Sequence, residues 1–223
     1  MNIKRLILLA VVTIVITCGF LIGPIMSKIE TPKYKVISSE KNIEVRLYDP
    51  MIVAQTQVTE NRKEAIKIGF RILADYIFGN NTIKQDIEMT APVQQQSTKI
   101  AMTSPVQQQQ SQKVSMTAPV QQQSLADQAW LISFVMPSQY SIESLPQPND
   151  KRVLLKAIPS KKIAAITFSG TNSDSNIAKH KELLINYIND NSISALSSPK
   201  YAFYNPPWKA PFMRRNEVMI EIN

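Results

Sequence analysis

One cysteine, one histidine and five glycines are spread over 223 residues, and each scarcity excludes a class of chemistry. Cys18 lies inside an N-terminal apolar run, so the rest of the chain carries no disulfide, no cysteine-based zinc site and no cysteine nucleophile. A lone histidine, His180, restricts acid–base arrangements, and the sequence holds no Gly-x-Ser-x-Gly, His-Glu-x-x-His, phosphate-loop or dinucleotide-binding pattern. The expectation is a binding protein and not an enzyme. Long charge runs are missing too: the net charge is +8, yet no basic run exceeds a pair such as Lys161-Lys162 or Arg214-Arg215. A nucleic-acid groove needs a denser basic stripe with interleaved aromatics, so no nucleic-acid partner is expected; an acidic ligand or anionic lipid fits better.

What is present bounds the rest. Hydrophobic residues make up 44% and charged residues 19%, which fits one domain with a buried core plus a short appendage. Met1 to Arg5 is basic, and Leu6 to Ile22 then runs without a charge, long enough to cross a hydrocarbon core as a helix. Residues 1–27 therefore read as a transmembrane anchor, residues 6–26 lying in the bilayer and the soluble domain, 28–223, outside the cytoplasm. Two alternatives remain: a cleaved signal peptide that releases a secreted domain, although no Ala-x-Ala-like site is evident, and a lipoprotein modified at Cys18.

Beyond the linker Ile29 to Lys35, Ile43 to Tyr48 alternates polar and apolar residues as a half-buried strand does. Asp49-Pro50 marks a turn and Met51 to Thr59 resumes the pattern, which predicts a hairpin. Asn61 can cap a helix whose Ile66, Phe70, Leu73, Ala74 and Ile77 form an apolar stripe, with Gly79-Asn80-Asn81 ending it. A similar order returns downstream. Trp130 to Met136 is a strand; Val153 to Ile158 and Ile163 to Phe168 predict a second hairpin across Pro159-Ser160. A helix from Ser173 or Asp174 to Ile188 follows, with Ile177, Leu184 and Ile188 on one face. Tyr201 to Tyr204 and Glu217 to Ile222 are the last strands. Two quasi-repeated halves predict an α+β fold, a distorted antiparallel β-barrel or curved sheet flanked by two helices, with a ligand cleft between the halves.

Met-Thr-x-Pro-Val occurs three times, with its methionine at Met89, Met102 and Met116, and each copy runs into glutamines. The sequence leaves open which copy belongs to the domain frame, the extra length being an insertion at about 94–114. A surface insertion is tolerated as a solvated loop or extra hairpin, and a Gln-rich interaction segment is the alternative.

The chain resembles the SOUL haem-binding protein family. The resemblance rests on Asp75 to Asn80 leading into Ile87 to Val93, on Phe134-Val135-Met136-Pro137-Ser138, on Leu145-Pro146-Gln147-Pro148 and on Ile166 to Gly170. It ends with Tyr204-Asn205-Pro206-Pro207-Trp208 and Phe212 to Val218, so that it covers about Glu30 to Asn223. It implies a distorted antiparallel barrel with two helices, built from a duplicated unit, and non-covalent binding of haem or another tetrapyrrole in a shallow apolar site. Family members carry the motif once; the triplication is this chain's departure.

Haem needs an apolar slot, cations for its propionates and, often, an axial His, Met, Cys or Tyr. His180 borders the apolar face of the second helix and is the candidate axial ligand. Met89, Met116, Phe134, Met136, Trp208, Phe212 and Met213 are candidate pocket lining, and Arg214 and Arg215 candidate propionate partners. The expected function is buffering or delivery of haem or another porphyrin by a membrane-tethered domain. The alternative is a tethered structural or interaction protein whose pocket is vestigial and whose Gln-rich repeats engage a protein partner.

Overall fold

The computed structural model describes residues 29–83, 111–125 and 129–223. The proposed anchor, Met89, Met102 and the first two motif copies lie outside them. Among the described residues no helix is long and apolar enough to cross a membrane.

In chain order the elements are β1 (Tyr34–Glu40), β2 (Ile43–Tyr48), β3 (Met51–Thr59), α1 (Arg62–Ile77), β4 (Asn81–Thr82), β5 (Val120–Ser124), β6 (Ala129–Val135) and β7 (Gln147–Pro148). They continue with β8 (Leu154–Ile158), β9 (Lys161–Phe168), α2 (Asp174–Asp190), β10 (Lys200–Phe203), a 3-10 turn at Pro211–Met213 and β11 (Asn216–Glu221). Among the described residues nine strands form one antiparallel sheet in the order β1-β2-β9-β11-β10-β5-β6-β3-β8, while β4 and β7 pair separately.

That order shows the duplication directly. In each half the second strand pairs with the last: β3 with β6, and β9 with β11. The first strand of each half crosses to the other half, β2 onto β9 and β8 onto β3. The halves meet where β5 pairs β10. Asp49-Pro50 and Pro159-Ser160 are thus corners between the halves and not hairpin turns, which corrects both predicted hairpins. Alternation identifies a strand, but partner choice is set by the curl of the whole sheet. Strand β1, which begins in the last two residues of the expected linker and runs on through a stretch with no predicted element, makes a true hairpin with β2 through Lys41 at φ 56°. The curved-sheet form of the expectation holds: β1 and β8 are its two edges.

Both helices pack on one face of the curled sheet, α1 on β3 and β6, α2 on β9 and β11. Asn61 caps α1, its side chain accepting from the Glu64 amide at 3.1 Å. The buried face is Ala65, Gly69, Ile72, Leu73, Ala74, Tyr76 and Ile77; Leu73, Ala74 and Ile77 of the expected stripe are buried, while Ile66 is half-buried and Phe70 exposed. Helix and sheet approach most closely at Gly69, where a Cβ would clash with the Ile132 side chain on β6. The second helix buries Ile177, Leu184 and Ile188 as expected, and Ser173 caps it.

The third motif copy occupies the domain frame. Val114 is buried beside α1 and its amide donates to the Ile77 carbonyl at 2.8 Å. Thr117 donates to the Val135 carbonyl, and Ala118-Pro119, a cis peptide, leads into β5. The glutamines of this copy are central sheet and not loop: Gln122 is buried and donates to the Arg62 carbonyl at 2.8 Å, while Gln121 and Gln123 project to the opposite face.

Candidate functional site

Alternation along the strands sends every second side chain away from the helices, onto the concave face. There the two halves enclose a groove of about 270 Å3 that draws its walls from both. Its apolar surface comes from Met51, Val53, Leu131, Ile158, Ile163 and Met219. Lys156, Lys161 and Lys200 are the cations of the wall and Glu221 its carboxylate; Lys161 Nζ lies 2.6 Å from Glu221. Burial pulls the Lys200 ammonium below the usual lysine range, and the positive charge of Lys161 and Lys156 adds to this against the opposing effect of Glu221. The groove therefore holds more cation than it neutralises. A second cavity, about 360 Å3, shares Met51 and Ile158 with the first and is walled by Thr117, Val135, Met136 and Pro137.

The same concave face carries a buried polar cluster on β2, β9 and β11, joined by Tyr204 and Arg215 from the two ends of the β10–β11 loop. The carboxylate of Glu217, fully buried, accepts from Arg46 Nη1 at 3.0 Å, Arg215 Nη2 at 2.7 Å, Thr167 Oγ1 at 3.1 Å and the Tyr204 hydroxyl at 2.7 Å. Burial alone raises its pKa, but Arg46 and Arg215 more than offset that and leave it below the usual carboxylate range. Arg46 also donates to Glu44 at 2.7 Å and to the Tyr48 hydroxyl at 3.1 Å. The Tyr48 phenol, desolvated and near the Glu217 charge, is pushed up to about 12 and stays protonated. With every member paired, this cluster fixes the wall beside the groove.

The expected site residues are not brought to one place. Phe134 is core under α1, ring to ring with Phe70 at 5.4 Å. Met136 lines the second cavity, and Met116 is exposed just before β5. His180 sits on the helix side of the sheet, stacked on Phe168 at 4.0 Å, with Nδ1 2.7 Å from the Asn176 carbonyl. Trp208, Phe212 and Met213 protrude from the β10–β11 loop. Arg214 donates to the Lys209 carbonyl at 2.7 Å and to that of Pro207, and Arg215 is engaged by Glu217 and stacked on Tyr204. Sequence reasoning missed the groove lysines, Met51 and Met219; the alternation Glu217-Met219-Glu221 was the available signal.

Among the described residues, no histidine or cysteine lines either cavity and no His/Cys/Asp/Glu cluster could hold a metal ion. The haem-ligating types that line the groove are the thioethers of Met51 and Met219 and the phenol of Tyr48. Its volume lies near the lower limit of small-molecule pockets, so it suits the edge of a planar macrocycle and would leave the remainder exposed.

The model of the SOUL heme-binding proteins matches residues 29–221. The chain belongs to that family. Curated proteins offer no match. Solved structures do: the crystal structure of the EcmrR C-terminal domain superposes with a TM-score of 0.55 at 10% identity, over 85% of this chain and 98% of that one. An uncharacterized conserved protein from Listeria innocua gives 0.51 at 10% identity, over 83% and 94%. EcmrR in its DNA complex gives 0.50 at 11%, over 99% and 68%. At such identities the likeness to these structures concerns the fold.

Proposed function

We propose that the concave groove binds haem or a related tetrapyrrole non-covalently, and that the chain is a membrane-tethered, non-enzymatic module that buffers or delivers it outside the cytoplasm. The observation that carries this reading is the excess of lysine over carboxylate above an apolar floor. A tetrapyrrole edge is apolar along its ring and anionic at its propionates, and the groove offers the complement of both. Lys156, Lys161 and Lys200 would hold the propionates; Met51, Val53 and Met219 would pack against the ring. Bound haem would supply redox-active iron, for which Met51 and Met219 are the available soft donors. The tether rests on the charge-free run Leu6 to Ile22.

Hemin titration of the full chain in detergent micelles tests the reading. A saturable Soret shift at one equivalent, weakened by Lys161→Glu and Lys200→Glu and unchanged by His180→Ala, supports it. Non-saturating adsorption, indifferent to both lysines, would leave the groove without this ligand.

A further inference from the structure

The β10–β11 loop presents apolar side chains that no part of the described chain covers: Trp208 is 82% exposed, Phe212 77% and Met213 58%. The exposure is built, not incidental. Pro206, Pro207 and Pro211 stiffen the backbone, and the Arg215 amide donates to Asn205 Oδ1 at 2.7 Å. Arg214 reaches back across the loop to the carbonyls of Lys209 and Pro207, and Gly170 donates to the Pro211 carbonyl at 2.9 Å. The loop thus bonds many of its polar groups within itself and to Gly170 while holding a tryptophan, a phenylalanine and a methionine outward, with the half-buried Lys209 next to Trp208 in the chain.

Strand register shows where this loop lies relative to the N-terminus. Phe203, from which the loop departs, pairs with Val120 on β5. Two residues before Val120, the Ala118 amide donates to the Glu30 carbonyl at 2.9 Å, and Glu30 Oε1 accepts from the Ser138 amide at 3.0 Å. Glu30 of the chain entry is thus bonded to the residues that lead into β5, at the end of that strand beside which β10 passes into the protruding loop, and entry and loop share one rim. The described chain begins at Ile29, three residues after the expected bilayer segment 6–26 and directly after Lys28, the first charge past Arg5.

We propose that this rim faces the bilayer and that Trp208, Phe212 and Met213 insert into the lipid interface, with Lys209 at the headgroups. Tryptophan is enriched at that depth because its ring is apolar and its N–H seeks a polar partner, and a cationic neighbour adds attraction to anionic headgroups. The inference rests on the tether reading: the tether brings the rim to the membrane, and the loop sets its orientation.

The test reconstitutes the full chain into phosphatidylcholine/phosphatidylglycerol vesicles with and without dibrominated acyl chains. Wild-type emission minus that of Trp208→Phe, in which half-buried Trp130 remains, isolates Trp208. Blue-shifted Trp208 emission, quenched by brominated lipid and shielded from aqueous acrylamide, is the expected result; Phe212→Asp should reduce the bromine quenching. Trp208 open to acrylamide and untouched by bromine overturns the proposal although the chain floats with the vesicles. A Trp208 shielded from both, with cross-linking between copies through Lys209, shows a second copy on the loop and overturns it too. A chain that fails to float removes the tether and the insertion together.

Discussion

Replacing Glu217 by glutamine tests whether the charged cluster holds the wall of the groove. The carboxylate is fully buried between two guanidiniums, and Arg46 is itself 1% exposed. Breaking a buried ion pair from one side costs about 3–5 kcal/mol, because the partner stays buried and unneutralised. Two features set the value near the lower end. Arg46 keeps its contact with Glu44, and the Arg215 side chain, 41% exposed, recovers part of its loss from water. The expected cost is therefore about 3 kcal/mol, or a fall of roughly 6–12 °C in Tm for a domain of this size. Arg215→Met should cost less than Glu217→Gln, since it leaves Arg46 neutralising the carboxylate.

Urea unfolding followed by far-UV circular dichroism reads the effect as a lower midpoint at unchanged slope. The pH dependence supplies the sign. Because the folded-state pKa of Glu217 is depressed, its contribution is complete above the ordinary carboxylate range and is lost as pH falls through the depressed value. The gap between wild type and Glu217→Gln should close in acid. A gap below about 1 kcal/mol at neutral pH, or one that persists at pH values where the wild-type carboxyl is protonated, would refute the assignment of cost to a buried charge.

Lys200→Met should leave stability unchanged or raised, because it removes a desolvated charge, while weakening hemin binding about tenfold, the loss of one charge-assisted contact. Hemin titration beside thermal melts checks both, and parallel losses would indicate a misfolded variant. Because the Lys200 charge is lost at lower pH than that of an ordinary lysine, hemin affinity should decline on the alkaline side earlier than free lysine titration predicts, and salt should weaken it. Metal-free protoporphyrin should bind within about threefold of hemin, since no histidine lines the groove and a thioether adds little; a hundredfold preference for hemin would demonstrate iron ligation. Gly69→Ala should destabilise by about 1–3 kcal/mol in urea, the overpacking against Ile132 outweighing the gain in helix propensity.

The elements were largely legible in the sequence, their partners less so. The capped helices follow from local signals, Asn61 and Ser173 accepting where their side chains predict. The two corners at Asp49-Pro50 and Pro159-Ser160 resemble hairpin turns locally, and nothing within a few residues reveals that β2 and β8 exchange halves. Gln121 to Gln123 resembles its neighbours in the repeat blocks, yet it forms a central strand that pairs with β6 on one side and β10 on the other from Val120 onward. Site residues suffered most from this. The sequence drew attention to uncommon residues, His180, Trp208 and the Arg214-Arg215 pair, whereas the groove is made of ordinary lysines and aliphatics gathered from eight strands of the sheet.

The duplication supplies the last step. Two equal halves about the β5–β10 pairing would line the concave face symmetrically, and a symmetric groove would suit a symmetric ligand. The two halves instead diverge in polarity. On β9, β10 and β11 the concave positions include Lys161, Lys200, Glu217 and Glu221; their counterparts on β3, β5 and β6 are Met51, Val53, Gln55, Gln121, Gln123, Leu131 and Ser133, all uncharged. Lys156 crosses on β8 to lie within electrostatic reach of Lys200. A ligand charged along one edge and neutral along the other gains from that gradient in one orientation and loses in the reverse, so the groove selects direction as well as charge. A tetrapyrrole with both propionates on one side has that form. A compact inorganic anion would use the lysines and leave the uncharged half idle, and a neutral hydrocarbon would leave the excess of lysine over carboxylate unneutralised. Competition should therefore rank a dicarboxylate porphyrin above its dimethyl ester and above phosphate, and equal displacement by all three would remove the orientation argument.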